Sequence, residues 1–549
     1  MTRARTRWFA AAAPALALAA YAGALDHPFV FDDQRAIVGN PSIHALGELR
    51  WVLSGSRRPL VNLSYAIDWA IGGGRPLAFH VTSVLLHALN ALLVFALARR
   101  IARDAAERTA RPLDEDQLAW APLAAAALFA VHPALTEAVG YASGRAGVLA
   151  TTCVLASVLA WRRALDGRRR FIAVALALFA LGLASKETAA MLPFVYLAYD
   201  RWLAPDGAGG ARRRLVRFHA PLFALCAAAG ALRVASYLRL EGGAARPLWP
   251  HLLTQLGVVW RYALLLAAPI SQSIVHAVAP VTSPLDGRAW LCGAALLAFS
   301  AFAFARRRRA PMLAFGWAWF LLFLAPVSLV PLVESMAEHR VYEPSVGAFL
   351  LAGALVIAAR RPVPARLVAA ATAVLALASV MRNRVWADPI ALWQDAADKA
   401  PAVWAPHYAL GDALRSAGDC RGAVPEYRRA IALLAAEPRA HTNLGICLAQ
   451  LGLLDEARGA LDDSLSLAPD DAAVHVDVAV LELGRARHDE ARAHLEKAID
   501  LAPDYVKPKI YLARLFARVY HDQPAARRLC SDARRIAAGA GDVAGCEEL

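Results

Sequence analysis

Lysine is almost missing from this 549-residue chain: five lysines stand against 54 arginines, and Lys186 is the only one before Lys399. So lopsided a choice points to a GC-rich bacterial coding bias, and hence to a plasma (inner) membrane with a periplasmic or external face. Also missing are an HExxH zinc helix, a GxxxxGK[ST] phosphate loop, a GxSxG elbow and a GxGxxG dinucleotide fingerprint. Soluble nucleotide-sugar or ATP chemistry therefore has no support. The seven cysteines form no CxxC and no His/Cys cluster at metal-ligand spacing. No metal site is assigned and no cofactor is expected, although a divalent-ion requirement stays open.

What is present is apolar. A mean hydropathy of +0.41 with 58% hydrophobic residues places the chain among membrane proteins. Its net charge of +14 does not indicate a nucleic-acid partner, because the arginines fall in clusters between apolar segments. Arg99/Arg100, Arg162/Arg163 with Arg168–Arg170, Arg212–Arg214, Arg306–Arg309 and Arg360/Arg361 mark cytoplasmic loops, as does the basic start at Arg3, Arg5 and Arg7. The expected spans are 8–25, 79–98, 118–133, 145–161, 171–184, 188–203, 218–235, 289–305, 311–331, 344–360 and 365–381. Segment 252–275 is read as a re-entrant or interfacial helix, since a full crossing there would push Arg306–Arg309 outside. Eleven crossings with a cytoplasmic N-terminus place a membrane domain at 1–382, a large outer loop at 26–78 and an external domain at 383–549. An alternative makes the first segment a signal peptide, with Ala22-Gly23-Ala24 as its cleavage site.

The C-terminal part repeats every 34 residues. Ala423, Ala457, Ala491 and Ala525 recur at that interval, as do Leu410, Leu444, Val478 and Leu512, and Tyr427, Leu461, Leu495 and Leu529. Gly411 and Gly445 add small residues where paired helices would cross, and Pro401, Pro469 and Pro503 close helix pairs, with Pro438 three residues late. This is the tetratricopeptide period, with a degenerate fourth unit as a cap. Asp388 to Pro401 reads as a half-repeat. Such arrays bind protein or peptide in a concave groove; a rigid spacer is the plainer reading. Outside the cytoplasm Cys420–Cys447 and Cys530–Cys546 could pair, whereas Cys153, Cys226 and Cys292 lie in spans as packing residues.

Four turns distant in sequence carry charge to the outer face. The loop after the first span holds the pair Asp32 and Asp33 with Arg35, Arg57, Arg58 and Asp68. A second turn runs from His132-Pro133 through Glu137 to Arg145, a third is Ser185-Lys186-Glu187, and a fourth holds Glu334, Glu338, His339 and Arg340. Neighbouring carboxylates beside hydrocarbon repel each other, so the pKa of one is expected to rise. A compact ammonium and planar guanidinium forks both suit phosphate oxygens. Taken one at a time, each charge reads as a helix cap or a snorkelling side chain. His80 and His87, one heptad apart, read as satisfied histidines inside a helix.

Seven motifs in order, followed by the array, resemble the transmembrane and tetratricopeptide-repeat-containing O-mannosyltransferases. They are Phe29-Val30-Phe31-Asp32-Asp33, Arg58-Pro59-Leu60, Phe79-His80 with Leu86-His87-Ala88, Phe129 to His132-Pro133 with Thr136-Glu137-Ala138-Val139, Gly144-Arg145-Ala146, Ser185-Lys186-Glu187, and Glu338-His339-Arg340 with Pro344-Ser345-Val346-Gly347. The resemblance implies an all-α, polytopic GT-C glycosyltransferase domain joined to a tetratricopeptide α-solenoid. It implies transfer of a sugar, mannose among the candidates, from a polyprenyl-phosphate carrier to a Ser or Thr hydroxyl of an extracytoplasmic protein. Carried onto this chain, Asp32 and Asp33 would supply the base and its orienting partner, with Asp33 the nearer to the acceptor. Arg58, Arg145, Lys186 and Arg340 would hold the donor phosphate, supported by His132, Glu137, Glu187, Glu338 and His339. The partners implied are the lipid-linked sugar, membrane lipid and a peptide in the repeat groove, with no nucleic acid. The competing classes are a non-catalytic membrane scaffold recruiting envelope proteins and a lipid-linked sugar transporter, which should show paired halves and mid-span polar residues.

Overall fold

The computed structural model describes residues 3–204, 211–240, 248–359, 365–536 and 546. Every regular element among them is helical. The chain divides into two compact units, Met1–Leu392 and Trp393–Leu549.

The first unit opens with α1 (Arg3–Tyr21), α2 (Leu49–Ser54), α3 (Pro59–Gly72), α4 (Pro76–Thr109), α5 (Gln117–Val131), α6 (Thr136–Gly140), α7 (Arg145–Leu165) and α8 (Arg170–Leu183). It continues through α9 (Leu192–Trp202), α10 (Ala211–Arg214), α11 (Ala220–Leu240), α12 (Leu248–Ala267), α13 (Gly287–Arg306), α14 (Pro311–Leu329), α15 (Tyr342–Ala358) and α16 (Ala365–Trp386). Its main core is shared by α1, α4, α5, α7, α14 and α15. Ala13, Ala17 and Tyr21 are fully buried in that core, so α1 is a packed member of the bundle. Large apolar side chains instead face outward along α13 (Trp290, Leu291, Leu297) and α16 (Leu367, Val374, Leu377). Water solvates such a surface poorly and lipid solvates it well, as a membrane protein requires.

Among the described residues seven helices are long and apolar enough to cross a bilayer, or eight if the bent pair Gln117–Val131 and Pro133–Gly140 is one span. Eleven crossings are expected from the sequence, and the difference has a geometric cause. Segments 171–184 and 188–203 become α8 and α9, of 14 and 11 residues. At about 1.5 Å per residue even the longer rises only ~21 Å, short of a ~30 Å hydrocarbon layer. Segment 218–235 falls on α11, whose later side chains lie outside the described residues, as do Arg360 and Arg361. Segment 252–275 holds the greater part of α12, which ends at Ala267, carries His251, Gln255 and Arg261 and is not one of the seven; the rest of the segment is non-helical.

The loop expected at 26–78 is an ordered layer with its own small core. Ile37, Ile43, Val52, Val61 and Tyr65 pack against Phe79 and Ala142. Pro59 and Pro76 open α3 and α4 at the position where a missing N–H costs nothing.

The second unit contains α18 (Trp404–Ser416), α19 (Cys420–Leu433), α20 (Pro438–Gln450), α21 (Leu454–Leu467), α22 (Ala472–Gly484), α23 (His488–Leu501), α24 (Val506–Arg518) and α25 (Gln523–Ile536). The helix α17 (Pro389–Lys399), expected as a half-repeat, precedes them. The first helices of the pairs begin at 404, 438, 472 and 506, which keeps the 34-residue period. A Cβ at Gly411 would meet the Tyr427 ring at 2.7 Å, and one at Gly445 would meet Leu461 at 2.7 Å, so both crossings need glycine. Pro438 opens α20 and does not close the preceding pair.

The fourth repeat departs from the expected columns. Ala526 and Cys530 are buried where Ala525 and Leu529 were expected. The turn before α25 holds four residues against three in the earlier repeats, with His521 at φ 56°, which shifts the register by one. Disulfides join Cys420 to Cys447 and Cys530 to Cys546, while Cys153, Cys226 and Cys292 are free thiols.

Candidate functional site

The adjacent carboxylates Asp32 and Asp33 have opposite environments. Asp33 is fully buried: Oδ1 accepts from the Ser143 amide at 2.7 Å and its hydroxyl at 2.6 Å, and Oδ2 accepts from the Val30 amide at 3.2 Å. Burial pushes its pKa up to about 6, against the pull of those hydrogen bonds, with a smaller upward push from Asp32. Asp32 is exposed, and only its backbone is engaged: the amide donates to the Tyr141 hydroxyl at 3.0 Å, and the carbonyl accepts from the Arg35 and Ala36 amides. Its carboxylate has no hydrogen-bond or ion-pair partner among the described residues. Asp33, expected to be the nearer to the acceptor, is instead enclosed: it pins the loop to the turn before α7, and Asp32 is the accessible carboxylate.

The bent connection between α5 and α6 positions the next group. Pro133 breaks the helix after His132, and the two halves diverge by 53°. His132 is buried and holds the break together: Nδ1 accepts from the Ala134 amide, Nε2 meets the Leu266 carbonyl at 3.1 Å, and its own carbonyl accepts from the Tyr21 hydroxyl. This makes His132 a structural pin.

Beyond the bend, buried Glu137 accepts from the Glu338 amide at 3.1 Å and makes a very short contact with His339 Nδ1. The His339 Nε2 has no hydrogen bond among the described residues, and the side chain is 31% exposed. Glu338 turns away into the protein, accepting from the Ser273 amide at 2.7 Å and from His276 at 3.0 Å, which anchors the segment after α12. Arg340 holds the Glu334 carbonyl at 2.6 Å and its carboxylate at 3.5 Å. Burial pushes the Glu334 carboxyl upward, Arg340 and His339 oppose this, and the charges of Glu137 and Asp32 add to it. Asp32, Glu137, Glu334, His339 and Arg340 thus share one electrostatic neighbourhood.

Arg58 reaches Glu187 at 2.9 Å, with both side chains about half exposed, and the Leu60 amide bonds the Ala184 carbonyl. These contacts bring the outer layer onto the 185–187 turn. Lys186 and Arg145, expected at a donor phosphate, are enclosed. Lys186 Nζ pairs with Glu343 at 3.0 Å, and Thr188 donates to the other oxygen of the same carboxylate at 2.9 Å. Arg145 is fully buried, pairs with Asp68 at 2.5 Å, and donates to Ser83, Ser64 and the Phe79 carbonyl, with its guanidinium over the Tyr65 ring. Its charge is neutralised and its fork filled, so it locks α7 to α3 and α4. A single lysine and an Arg at a turn look alike in sequence whether they face a ligand or a buried carboxylate.

Sequence reasoning missed Ser143, Tyr141 and Glu343 as partners of these groups. Ser143 directly precedes the Gly144-Arg145-Ala146 motif and Glu343 lies between two quoted fragments, so adjacency was the available signal. His87 is satisfied by the Tyr342 hydroxyl at 2.7 Å and the Ala130 carbonyl at 3.1 Å. His80 departs from the expectation: it is fully buried, and neither ring nitrogen meets hydrogen-bond geometry with a partner among the described residues. No group of three or more metal-binding side chains is assembled among the described residues.

Fold and site together define a class: a helical membrane bundle with a charged, partly open face, joined to a tetratricopeptide solenoid. Residues 408–472 and 455–506 match the tetratricopeptide repeat family model. The chain is similar to the Drosophila melanogaster Protein O-mannosyl-transferase Tmtc2, at 33% identity over 249 residues, covering 41% of this chain and 24% of that protein. It is 34% identical over 174 residues to human Protein O-mannosyl-transferase TMTC4, covering 29% of this chain and 23% of the relative. The matches thus span about a quarter of the curated relatives' length. Among solved structures, MamA from Desulfovibrio magneticus RS-1 is 20% identical, covers 28% of this chain and 86% of its own, and has a TM-score of 0.26.

Proposed function

We propose that this protein is a membrane glycosyltransferase that moves a sugar, mannose first among the candidates, from a polyprenyl-phosphate carrier to a Ser or Thr hydroxyl of a protein. The observation that carries the reading is Asp32: an exposed carboxylate with no hydrogen-bond or ion-pair partner among the described residues, next to buried Asp33 and close enough to Glu334 for its charge to act there. The names of the curated relatives support the choice of reaction.

In this reading Asp32 takes the proton of the acceptor hydroxyl as its oxygen bonds to the anomeric carbon. The bond from that carbon to the carrier phosphate breaks, and the phosphate leaves with the electron pair. Arg340 and Arg58 meet the charge that develops there, and His339, whose Nδ1 donates to Glu137, holds the turn that carries Arg340. Attack opposite the leaving group inverts the anomeric centre. Lys186, Arg145, Asp33, Glu338 and Glu187 are positioning residues that fix the turns. The repeat unit presents the acceptor protein. Its two disulfides suit an oxidising compartment, which supports an extracytoplasmic position for that unit.

The test is the full chain purified in detergent with radiolabelled polyprenyl-phosphate mannose, polyprenyl-phosphate glucose and a Ser/Thr-containing protein. Label in protein from one donor supports the reading. Absence of transfer from both, with intact fold, favours the scaffold.

A further inference from the structure

The helix α7 supplies a depth scale. From Arg145 to Arg162 it rises roughly 26 Å at 1.5 Å per residue, so its two ends lie near opposite faces of a bilayer. The Asp32 face sits at the first end. At the other, Arg162 grips buried Asp104 through two nitrogens at 2.5 and 3.0 Å, and Asp200 accepts from Trp161 Nε1 at 3.2 Å, from Arg214 at 2.9 Å and from His219 Nε2 at 3.0 Å.

Beside this network, between α7, α8, α9 and the start of α11, is a cavity of about 250 Å³. Its wall is apolar and aromatic, formed chiefly by Trp161, Leu176, Tyr196, Phe218 and Leu222. Such a lining repels water and accepts hydrocarbon. Two polar residues interrupt it, Arg217 and His219. The His219 ring is 1% exposed, and its Nδ1 has no hydrogen bond among the described residues. Because Nε2 donates to Asp200, Nδ1 of the neutral ring carries a lone pair that a hydroxyl would satisfy. Arg217 is exposed, and Arg168, Arg169, Arg170 and Arg213 are exposed on the same Arg-rich end of these helices.

We infer that this crevice is a lipid site, separate from the Asp32 face, that takes one hydrocarbon chain of an anionic phosphate-headed lipid. The chain fills the aromatic cavity, the phosphate meets Arg217 and the neighbouring guanidiniums, and a headgroup hydroxyl donates to His219 Nδ1. Neither half suffices alone: the cavity rejects a free anion, and the arginines rank a zwitterionic headgroup below a net negative one.

Native mass spectrometry of the full chain in neutral detergent tests this, with three probes: 1-oleoyl lysophosphatidic acid, 1-oleoyl lysophosphatidylcholine and inorganic phosphate. The expected result is a saturable one-to-one adduct with lysophosphatidic acid, at least tenfold weaker adduct formation with lysophosphatidylcholine, and no displacement by inorganic phosphate. Leu176→Trp, which fills the cavity, and Arg217→Gln, an exposed change that leaves the packing alone, should each weaken the first adduct about tenfold with helicity unchanged by circular dichroism. Equal binding of the two lipids, displacement by phosphate, or wild-type binding by Arg217→Gln would overturn the assignment. Should Leu176→Trp fail to fold, Arg217→Gln and the probe comparison still decide it.

Discussion

At Asp33 three donors converge on one carboxylate that has no access to water, and burial still outweighs them. Between its ordinary value of 3.8 and about 6, the folded protein holds a proton there that the unfolded chain has released. Stability attributable to this residue therefore falls as pH rises through that window. Asp33→Asn should flatten that part of the stability profile, measured by thermal unfolding in detergent. An unchanged slope would mean that Asp33 does not titrate there. Arg145 is the second residue whose role is set by enclosure. Arg145→Ala should destabilise the first unit by ~3–5 kcal/mol, because Asp68 is left as a buried unpaired charge. Arg145→Lys should not restore it, since one ammonium cannot reach Asp68, Ser83 and the Phe79 carbonyl together. A stable Arg145→Ala protein that has lost donor binding would return this residue to the phosphate.

Among elements, those governed by periodicity were legible in the sequence. The repeat helices followed from a 34-residue spacing of Ala, Leu and Gly, and failed only where one inserted residue before α25 moved the register from Ala525 to Ala526. The charged turns were legible as a set because they recur at helix ends, and several of them meet: Glu137 with Glu338 and His339, and Arg58 with Glu187. Which charges stay open was not legible, since that depends on partners such as Ser143 and Glu343 brought in from other turns. The helices α8 and α9 are shorter than the spans expected there, because composition carries no information about where a helix breaks. Disulfide pairing across α19 and α20 bears on stability as well. Reduction, or Cys447→Ser, should lower the stability of the repeat unit by ~2–4 kcal/mol, the usual scale for a native bridge. Calorimetry of residues 393–549 with and without reductant checks this; an unaltered transition would show that the bond is absent in solution.

Across the whole molecule, the account requires the Asp32 face and the repeat unit to lie on the extracytoplasmic side, with the Arg-rich loops opposite. Phosphatase fused after residue 388 should be active, and the same reporter after Arg309 inactive; the reverse pattern would invert the orientation. The central claim is that Asp32 acts on the acceptor hydroxyl while its neighbour only holds it in place. The direct measurement is sugar transfer from radiolabelled polyprenyl-phosphate mannose by the full chain, comparing wild type with Asp32→Asn in parallel with donor binding. Asp32→Asn should fold, bind donor normally and lose transfer by ~10²-fold or more, the usual contribution of a positioned base. Transfer at the wild-type rate by Asp32→Asn would contradict the account.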